Sequence, residues 1–158
     1  MGKKFIGIDY GTKRIGVAIS DENISLAFPK EIILNGRDTF KRIGELIKSE
    51  NISEIVVGES VDFSGRLNIL SARIDDFISE LSDKFGLPIH KQKEFLTSVE
   101  ARRYENLGGQ VHKGSNTKNK LSSSKAHSRI KQIKSGRIDA SAAALILQRY
   151  LDRLNKLK

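Results

Sequence analysis

Alternation of apolar and polar positions predicts that the first part of the chain forms a β-sheet. Lys4 to Asp9 alternates with a period of two, and the apolar run Ile15 to Ile19 follows the turn Gly11-Thr12-Lys13. We therefore expect these two segments to pair as an antiparallel hairpin. A third strand is expected over Ala27 to Leu34, where Pro29 indicates an edge position or a bulge.

Apolar positions at helical spacing predict crossover connections in the middle of the chain. Asp38 to Glu50 has this spacing, and Ile55 to Gly58 is a short, wholly apolar segment typical of a strand buried in a parallel sheet. The strongest helical pattern runs from Leu67 to Phe85 and ends at Gly86-Leu87-Pro88. A fifth strand is expected near Ile89.

Two more helices are predicted in the C-terminal half. Ser98 is a candidate cap for a helix that runs to Leu107, and the last helix is expected from about Ile138 to Leu157. The predicted order is therefore three strands followed by alternating helices and strands. This order indicates an α/β fold with a mixed five-stranded sheet, in which antiparallel leading strands precede parallel crossovers, flanked by helices.

Length and composition limit the kind of protein. The chain of 158 residues fits a single domain over residues 1–158, and 38% hydrophobic with 30% charged residues is a globular balance. No apolar run approaches the ~20 residues that span a bilayer, and no signal peptide is visible, so we expect a cytoplasmic protein without a membrane partner. The absence of cysteine excludes disulfide scaffolds, cysteine-ligated zinc and thiol catalysis.

Positive charge is concentrated in one segment. The formal net charge is +9, and residues Gln110 to Gly136 carry seven basic side chains and no acidic one. We interpret residues 110–136 as a mobile basic loop that contacts the phosphates of a nucleic acid; the alternative is a solvated loop whose lysines provide solubility. The candidate phosphate contacts are Lys113, Lys118, Lys120, Lys125, Arg129, Lys131 and Lys134.

Three acidic residues lie at the ends of predicted elements. Asp9 ends the first strand, Glu94 follows the fifth, and Asp139 lies in the first turn of the last helix. If they converge, the carboxylates need a cation such as Mg²⁺ (or Mn²⁺), and two such ions would suit phosphodiester hydrolysis. Each acid also has a structural alternative, namely turn capping for Asp9, the surface for Glu94 and the helix dipole for Asp139.

Four ordered segments carry a family resemblance. They read IDYGTKRIGVA from residue 8, IVVG from residue 55, EFLTSVEA from residue 94 and IDASAAALILQRYL from residue 138. In order and content they resemble the motifs of the YqgF/RuvX family, whose members are described as Holliday junction resolvases and as nucleases that mature the precursor of 16S ribosomal RNA. The resemblance covers about residues 3 to 152.

The resemblance implies an RNase H-like fold and divalent-metal-dependent cleavage of nucleic acid in a bacterial cytoplasm. By position, the catalytic and metal-binding acids of the family fall on Asp9, Glu94 and Asp139. The expected function is that of an endonuclease acting on structured nucleic acid, with processing of the 5′ end of precursor 16S rRNA favoured. The alternative is resolution of branched DNA, where a symmetric cut needs two active sites and hence a homodimer; no segment is plainly a dimer face.

The chain departs from the family pattern in the longer interval from Glu100 to Asp139 and at two places next to candidate site residues. Lys93 stands directly before Glu94, where the family usually has an acid, and a lysine there competes with a metal. This favours a second alternative, a non-catalytic module that only binds nucleic acid. Gly58-Glu59-Ser60 replaces the usual Gly-Leu-Pro, so Glu59 is a candidate additional metal ligand, or else an exposed loop glutamate.

Other polar residues are candidate substrate contacts. Thr12, Lys13 and Arg14 follow Asp9, and Thr97 and Ser98 follow Glu94; turn stabilisation and helix capping are the structural alternatives.

Two further possibilities receive less weight. The three histidines, His90, His112 and His127, have no spacing typical of a zinc site. The hairpin also resembles the phosphate loop of sugar kinases and actin-like ATPases, but those enzymes need about twice this length to form two lobes.

Overall fold

The computed structural model describes residues 2–59, 69–93 and 124–157, and it describes side chains from residue 140 onward in the last of these stretches. Within this part of the chain, five strands and three helices are present. In chain order they are β1 (Lys4–Asp9), β2 (Arg14–Ser20), β3 (Ala27–Leu34), α1 (Thr39–Ser49), β4 (Ile52–Glu59), α2 (Ile69–Phe85), β5 (Ile89–Lys93) and α3 (Ser124–Lys156).

The five strands form one mixed sheet with the order β3-β2-β1-β4-β5. β2 pairs antiparallel with both β1 and β3, whereas β4 pairs parallel with β1 and β5. The ends of β1, β4 and β5 therefore lie at one edge of the sheet, which we call the carboxyl edge. This topology confirms the predicted RNase H-like arrangement of antiparallel leading strands followed by parallel crossovers.

Helices cover both faces of the sheet. On one face, Ile6, Ile8 and Val57 pack with α1 and α2 in one apolar cluster. On the other, Phe5 and Val56 pack with α3 in a second cluster. Neighbouring residues of one strand thus enter different cores, as the period of two requires. We call these faces the α1/α2 face and the α3 face.

Gly7 lets α3 lie close to the middle of β1. A Cβ atom at this position would stand 2.7 Å from the Cβ of Leu147 and 3.0 Å from the carbonyl oxygen of Ala143. Real Cβ atoms do not approach other atoms so closely, so any larger residue would push the helix away from the sheet. Gly7 therefore sets the spacing between β1 and α3.

Several local predictions are confirmed. β3 is an edge strand, and its register with β2 shifts where Ala18 pairs with Pro29. α2 ends before Gly86, whose φ of +61° lies in the left-handed region that favours glycine, and whose N–H donates to the carbonyl oxygen of Ser82 at 2.9 Å.

The predicted basic loop over 110–136 is wrong for residues 124–136, which belong to α3. This stretch contains good helix formers and no proline. A periodic apolar face arises where a helix packs on a core, and the sequence of this stretch has no such face, which is why its helix was not predicted. Residues 110–123 and the helix predicted from Ser98 to Leu107 lie outside the described residues.

Among the helices in the described part of the chain, none combines the length and the apolar character needed to cross a bilayer.

Replacing Gly7 with alanine should destabilise the fold by about 1–3 kcal/mol, because the added methyl group overpacks the contact with α3. Urea unfolding at equilibrium measures this. Gly36→Ala is the matched control, since a Cβ there meets no atom within 4 Å, and its effect should stay within about 0.5 kcal/mol. Equal midpoints for the two variants would contradict the close approach at Gly7.

Candidate active site

Asp9 is the last residue of β1, the central strand of the sheet. Its neighbour Tyr10 packs against the α1/α2 core, with its ring 5.0 Å from that of Phe77. Gly7, two residues before Asp9, faces α3. By strand alternation the partly buried Asp9 therefore also faces α3, at the carboxyl edge.

Glycines occupy the neighbouring positions on both adjacent strands. Gly16 of β2 pairs directly with Asp9. On β4, Val57 pairs with Ile8, so the next residue, Gly58, lies beside Asp9. Because neither glycine carries a side chain, the sheet offers a floor without side chains on either side of the Asp9 carboxylate. Neither position therefore places a side chain in the space next to this carboxylate.

The register of α3 on β1 brings the backbone of residue 139 towards this edge. Tyr150 contacts Phe5 with 6.2 Å between ring centroids, and one to two turns earlier Leu147 and Ala143 lie over Gly7. The helix therefore runs antiparallel to β1. Asp139 precedes Ala143 by one further turn, the turn that comes level with Asp9. The side chain of Asp139 lies outside the described part of the structure.

Gln92 of β5 is a polar residue on the same face that the sequence analysis did not single out. It pairs with Gly58, while its neighbour Lys91 bonds to Asp75 of α2 on the opposite face. Among the described residues, its Oε1 atom is the buried side-chain oxygen that has no hydrogen-bond partner. A buried unpaired acceptor costs free energy, so this oxygen is suited to a donor or a cation that enters the site.

The structure does not bring Glu59 to Asp9, contrary to the possibility raised from the sequence. Glu59 is two residues beyond Val57, which packs in the α1/α2 core, and it pairs with Lys93. Lys91 on the same face bonds to Asp75 at 2.5 Å; this hydrogen bond, with a smaller attraction from Glu59, raises the pKa of Lys91. Glu59 is thus held on the α1/α2 face, because side chains alternate along β4.

The same alternation places Lys93 away from Asp9. Lys93 pairs with Glu59 and lies two residues beyond Lys91, on the α1/α2 face. The sequence order that puts a lysine next to Glu94 therefore does not put that lysine on the face of the sheet that Asp9 occupies.

The turn after Asp9 is held by Asn35, which follows β3. The side-chain amide of Asn35 donates to the carbonyl oxygen of Gly11 at 2.8 Å. The backbone N–H of Asn35 donates to the carbonyl oxygen of Lys13 at 2.9 Å. A Cβ on Gly11 would collide with the carbonyl oxygen of Arg14. Thr12 and Lys13 are exposed in this turn, and Arg14 begins β2 beside it.

The remaining predicted site residues are not described by the structure. These are Glu94, Thr97, Ser98, Lys113, Lys118 and Lys120. Lys125, Arg129, Lys131 and Lys134 lie on α3, where the backbone alone is described. Consistent with these gaps, the described residues contain no group of three histidine, cysteine or acidic side chains that would hold a metal.

Two side chains with oxygen atoms face α3 at the carboxyl edge, on strands separated by β4. The Asp9 carboxylate and the unpaired Gln92 amide oxygen are both oxygen ligands, the kind that Mg²⁺ prefers. Gln92 belongs to no sequence motif. It is recognised only from the strand alternation and register that place it beside Gly58.

The chain is similar to known proteins along nearly its whole length. The family model RuvX, described as Holliday junction resolvase, matches residues 3–153. A protein of Lawsonia intracellularis named "Putative pre-16S rRNA nuclease" is 34% identical over 153 residues, covering 95% of this chain and 94% of that protein. A protein of Ruminiclostridium cellulolyticum with the same name is 35% identical over 155 residues, covering 96% and 95%.

A solved structure of RuvC from T. thermophilus in complex with a Holliday junction substrate aligns with a TM-score of 0.48 and 14% identity. The alignment covers 94% of this chain and 93% of that one. Because the family match and both relatives span nearly the whole chain, we conclude that this chain belongs to the RuvX family.

Proposed function

We propose that this chain is a divalent-metal-dependent endonuclease that processes the 5′ end of precursor 16S rRNA in the cytoplasm. Asp9, Glu94 and Asp139 are the proposed catalytic residues and metal ligands. The observation that carries the proposal is the position of Asp9 at the carboxyl edge, flanked by glycines and level with the turn of α3 that contains Asp139. The names of the two relatives support the choice of substrate.

Glu94 is included among the proposed metal ligands because of its position in the sequence. It follows β5 directly and is two residues beyond Gln92, which faces α3. Three carboxylates from β1, α3 and the residue after β5 repel each other unless a cation neutralises them. Mg²⁺ or Mn²⁺, when bound, would supply a nucleophile from water at neutral pH and stabilise the leaving oxygen of the phosphodiester.

The other residues of the site act on the substrate itself. The glycines beside Asp9 carry no side chain that would block the sugar–phosphate backbone at these two positions. Lys13 and Arg14, held by Asn35 in the turn after Asp9, attract the phosphate groups that flank the cleaved bond. The basic residues of α3 extend this attraction along the nucleic acid, since lysine binds phosphate as a point charge.

The position of Lys93 favours a nuclease over a module that only binds nucleic acid. A lysine that competes with the metal is the feature that would favour the binding module. Lys93 lies with Glu59 on the α1/α2 face, whereas Asp9 lies on the α3 face. Lys93 therefore gives no reason to favour the binding module.

Asp9→Asn, Glu94→Gln and Asp139→Asn should each lower the cleavage rate with Mg²⁺ by at least about 100-fold, because loss of a ligand removes several kcal/mol of charge stabilisation. The assay uses precursor 16S RNA with its 5′ leader, next to a four-way DNA junction. Asp83→Asn, an exposed residue of α2, is the control and should retain full activity. Unimpaired cleavage by Asp9→Asn would contradict the assignment, and preference for the junction would favour the resolvase.

Glu59→Gln should keep the cleavage rate within about twofold of the parent, since a conservative change at a surface position has small effects and Glu59 lies on the face opposite Asp9. The same RNA assay, with Mg²⁺ varied, measures both the rate and the metal dependence. A loss as large as that of Asp9→Asn would show that Glu59 is a ligand after all.

Lys131→Gln combined with Lys134→Gln should weaken RNA binding and flatten the plot of log K against log salt, by about one unit per lost phosphate contact. Fluorescence anisotropy over a salt series measures this. Lys41→Gln combined with Lys48→Gln removes equal charge from α1 and should leave the slope unchanged. An identical slope in both double variants would mean that the lysines of α3 serve solubility alone.

A further inference from the structure

Leu34 is an exposed apolar residue beside the proposed active site. It is the last residue of β3, its side chain is 76% exposed, and it pairs with Arg14. Ile33, its neighbour, packs in the α1/α2 core. Leu34 therefore lies on the α3 face of the sheet, but beyond the area that α3 covers. A large apolar side chain on this face is available to an external partner.

The backbone at this end of β3 is firmly held. The Thr39 hydroxyl donates to the carbonyl oxygen of Leu34 at 3.1 Å and accepts from the N–H of Gly36 at 2.8 Å. Thr39 itself is buried, and Asn35 is bonded twice to the turn after Asp9. The exposure of Leu34 is thus a property of an anchored strand end and not of fraying.

The register of three strands fixes where Leu34 stands relative to Asp9. Asp9 pairs with Gly16, and Gly16 pairs with Ile32, two residues before Leu34. Strands in a sheet are spaced by about 4.8 Å and rise about 3.4 Å per residue, so Ile32 lies about 10 Å from Asp9 across the glycine, and Leu34, two residues further along β3, lies about 12 Å from Asp9. At about 3.4 Å per stacked nucleotide, this distance corresponds to roughly three to four nucleotides.

Basic residues lie on the segments next to this apolar position. Lys13 and Arg37 are exposed, and the hydrogen bond from Asn35 to Lys13 joins the two segments that carry them. Arg14 pairs with Leu34 itself. Among the exposed charged side chains of these two segments, Lys13 and Arg37 are basic and Asp38 is acidic. An apolar side chain within a positively charged border is complementary to a nucleotide, which combines an apolar base face with a phosphate.

We propose that the part of the carboxyl edge formed by the start of β2 and the end of β3 is a nucleotide-binding subsite, in which Leu34 packs on a base and Arg37 contacts the backbone phosphate. The subsite rests on the proposed nuclease function and gives the substrate strand a direction: it leaves Asp9 across Gly16 towards β3. Leu34 reads no base edge, because an aliphatic contact with a base face tolerates any sequence.

The test measures binding in the Asp9→Asn background, so that cleavage does not interfere. The probe is a short fluorescein-labelled RNA strand in which one abasic position is moved along the chain. Leu34→Ala should weaken binding of the intact strand about fourfold, as expected if the lost contact with the base equals the burial of about one methylene group. In the protein that retains Leu34, one abasic position in the RNA should weaken binding by a similar factor. In the Leu34→Ala variant, the same abasic position should leave the affinity unchanged.

Arg37→Ala should weaken binding and reduce the salt slope by about one unit, as for one phosphate contact. The matched controls are Leu26→Ala, which removes a leucine 54% exposed just before the other end of β3, and Arg73→Ala, which removes an exposed arginine of α2. Both should bind the RNA within about twofold of the parent. Circular dichroism melting verifies that all variants fold.

Two results would overturn the subsite: Leu34→Ala binding the intact strand as well as Leu26→Ala does, or an abasic penalty that persists in Leu34→Ala. Both are separable from failure of the proposed function. A protein with Asp9 intact that binds RNA in a Leu34-dependent way and never cleaves it would refute the nuclease and keep the subsite. Cleavage that depends on Asp9 but not on Leu34 would support the nuclease and refute the subsite.

Discussion

The contact between α3 and β1 at Gly7 is the constraint on which the site depends. The helix backbone lies so close to the strand there that no side chain fits between them. This closeness fixes the antiparallel register of α3, from Tyr150 over Phe5 to Ala143 over Gly7. The turn with Asp139 is thereby brought to the end of β1. Asp9 and Asp139 are 130 positions apart in the sequence. Their proposed proximity depends on Gly7, because it has no Cβ atom.

Strand alternation then decides which residues belong to the site. At the carboxyl edge, successive residues of each strand lie on opposite faces of the sheet. The helix α3, whose sequence contains Asp139, covers one of these faces. Asp9 and Gln92 lie on that face, and Glu59 and Lys93 on the other. Glu59 and Lys93 are therefore strand partners on the face where Lys91 bonds to Asp75. The two departures from the family pattern at these residues thus lie on the face opposite Asp9.

Much of the fold was predictable from the sequence, because amphipathic periods report burial on one side. The hairpin, β3 with its bulge at Pro29 and the end of α2 at Gly86 follow from such signals. The face of Glu59 was not predictable, since Ile55 to Gly58 is buried on both faces and carries no period of two. The N-terminal part of α3 was missed because its sequence has no periodic apolar face that would mark packing on a core.

The distribution of rigidity around Asp9 is consistent with a site that is formed before substrate arrives. Asn35 and Thr39 use their polar atoms to join the end of β3, the turn after Asp9 and the start of α1. A network of this kind costs side-chain entropy once, during folding, and not again when a strand binds. The unpaired oxygen of Gln92 is the opposite case, because its cost in the free protein is recovered when a cation or donor enters. The hydrogen-bonded network on the β3 side of Asp9 and the unsatisfied acceptor on the β5 side therefore both favour the bound state over the free one.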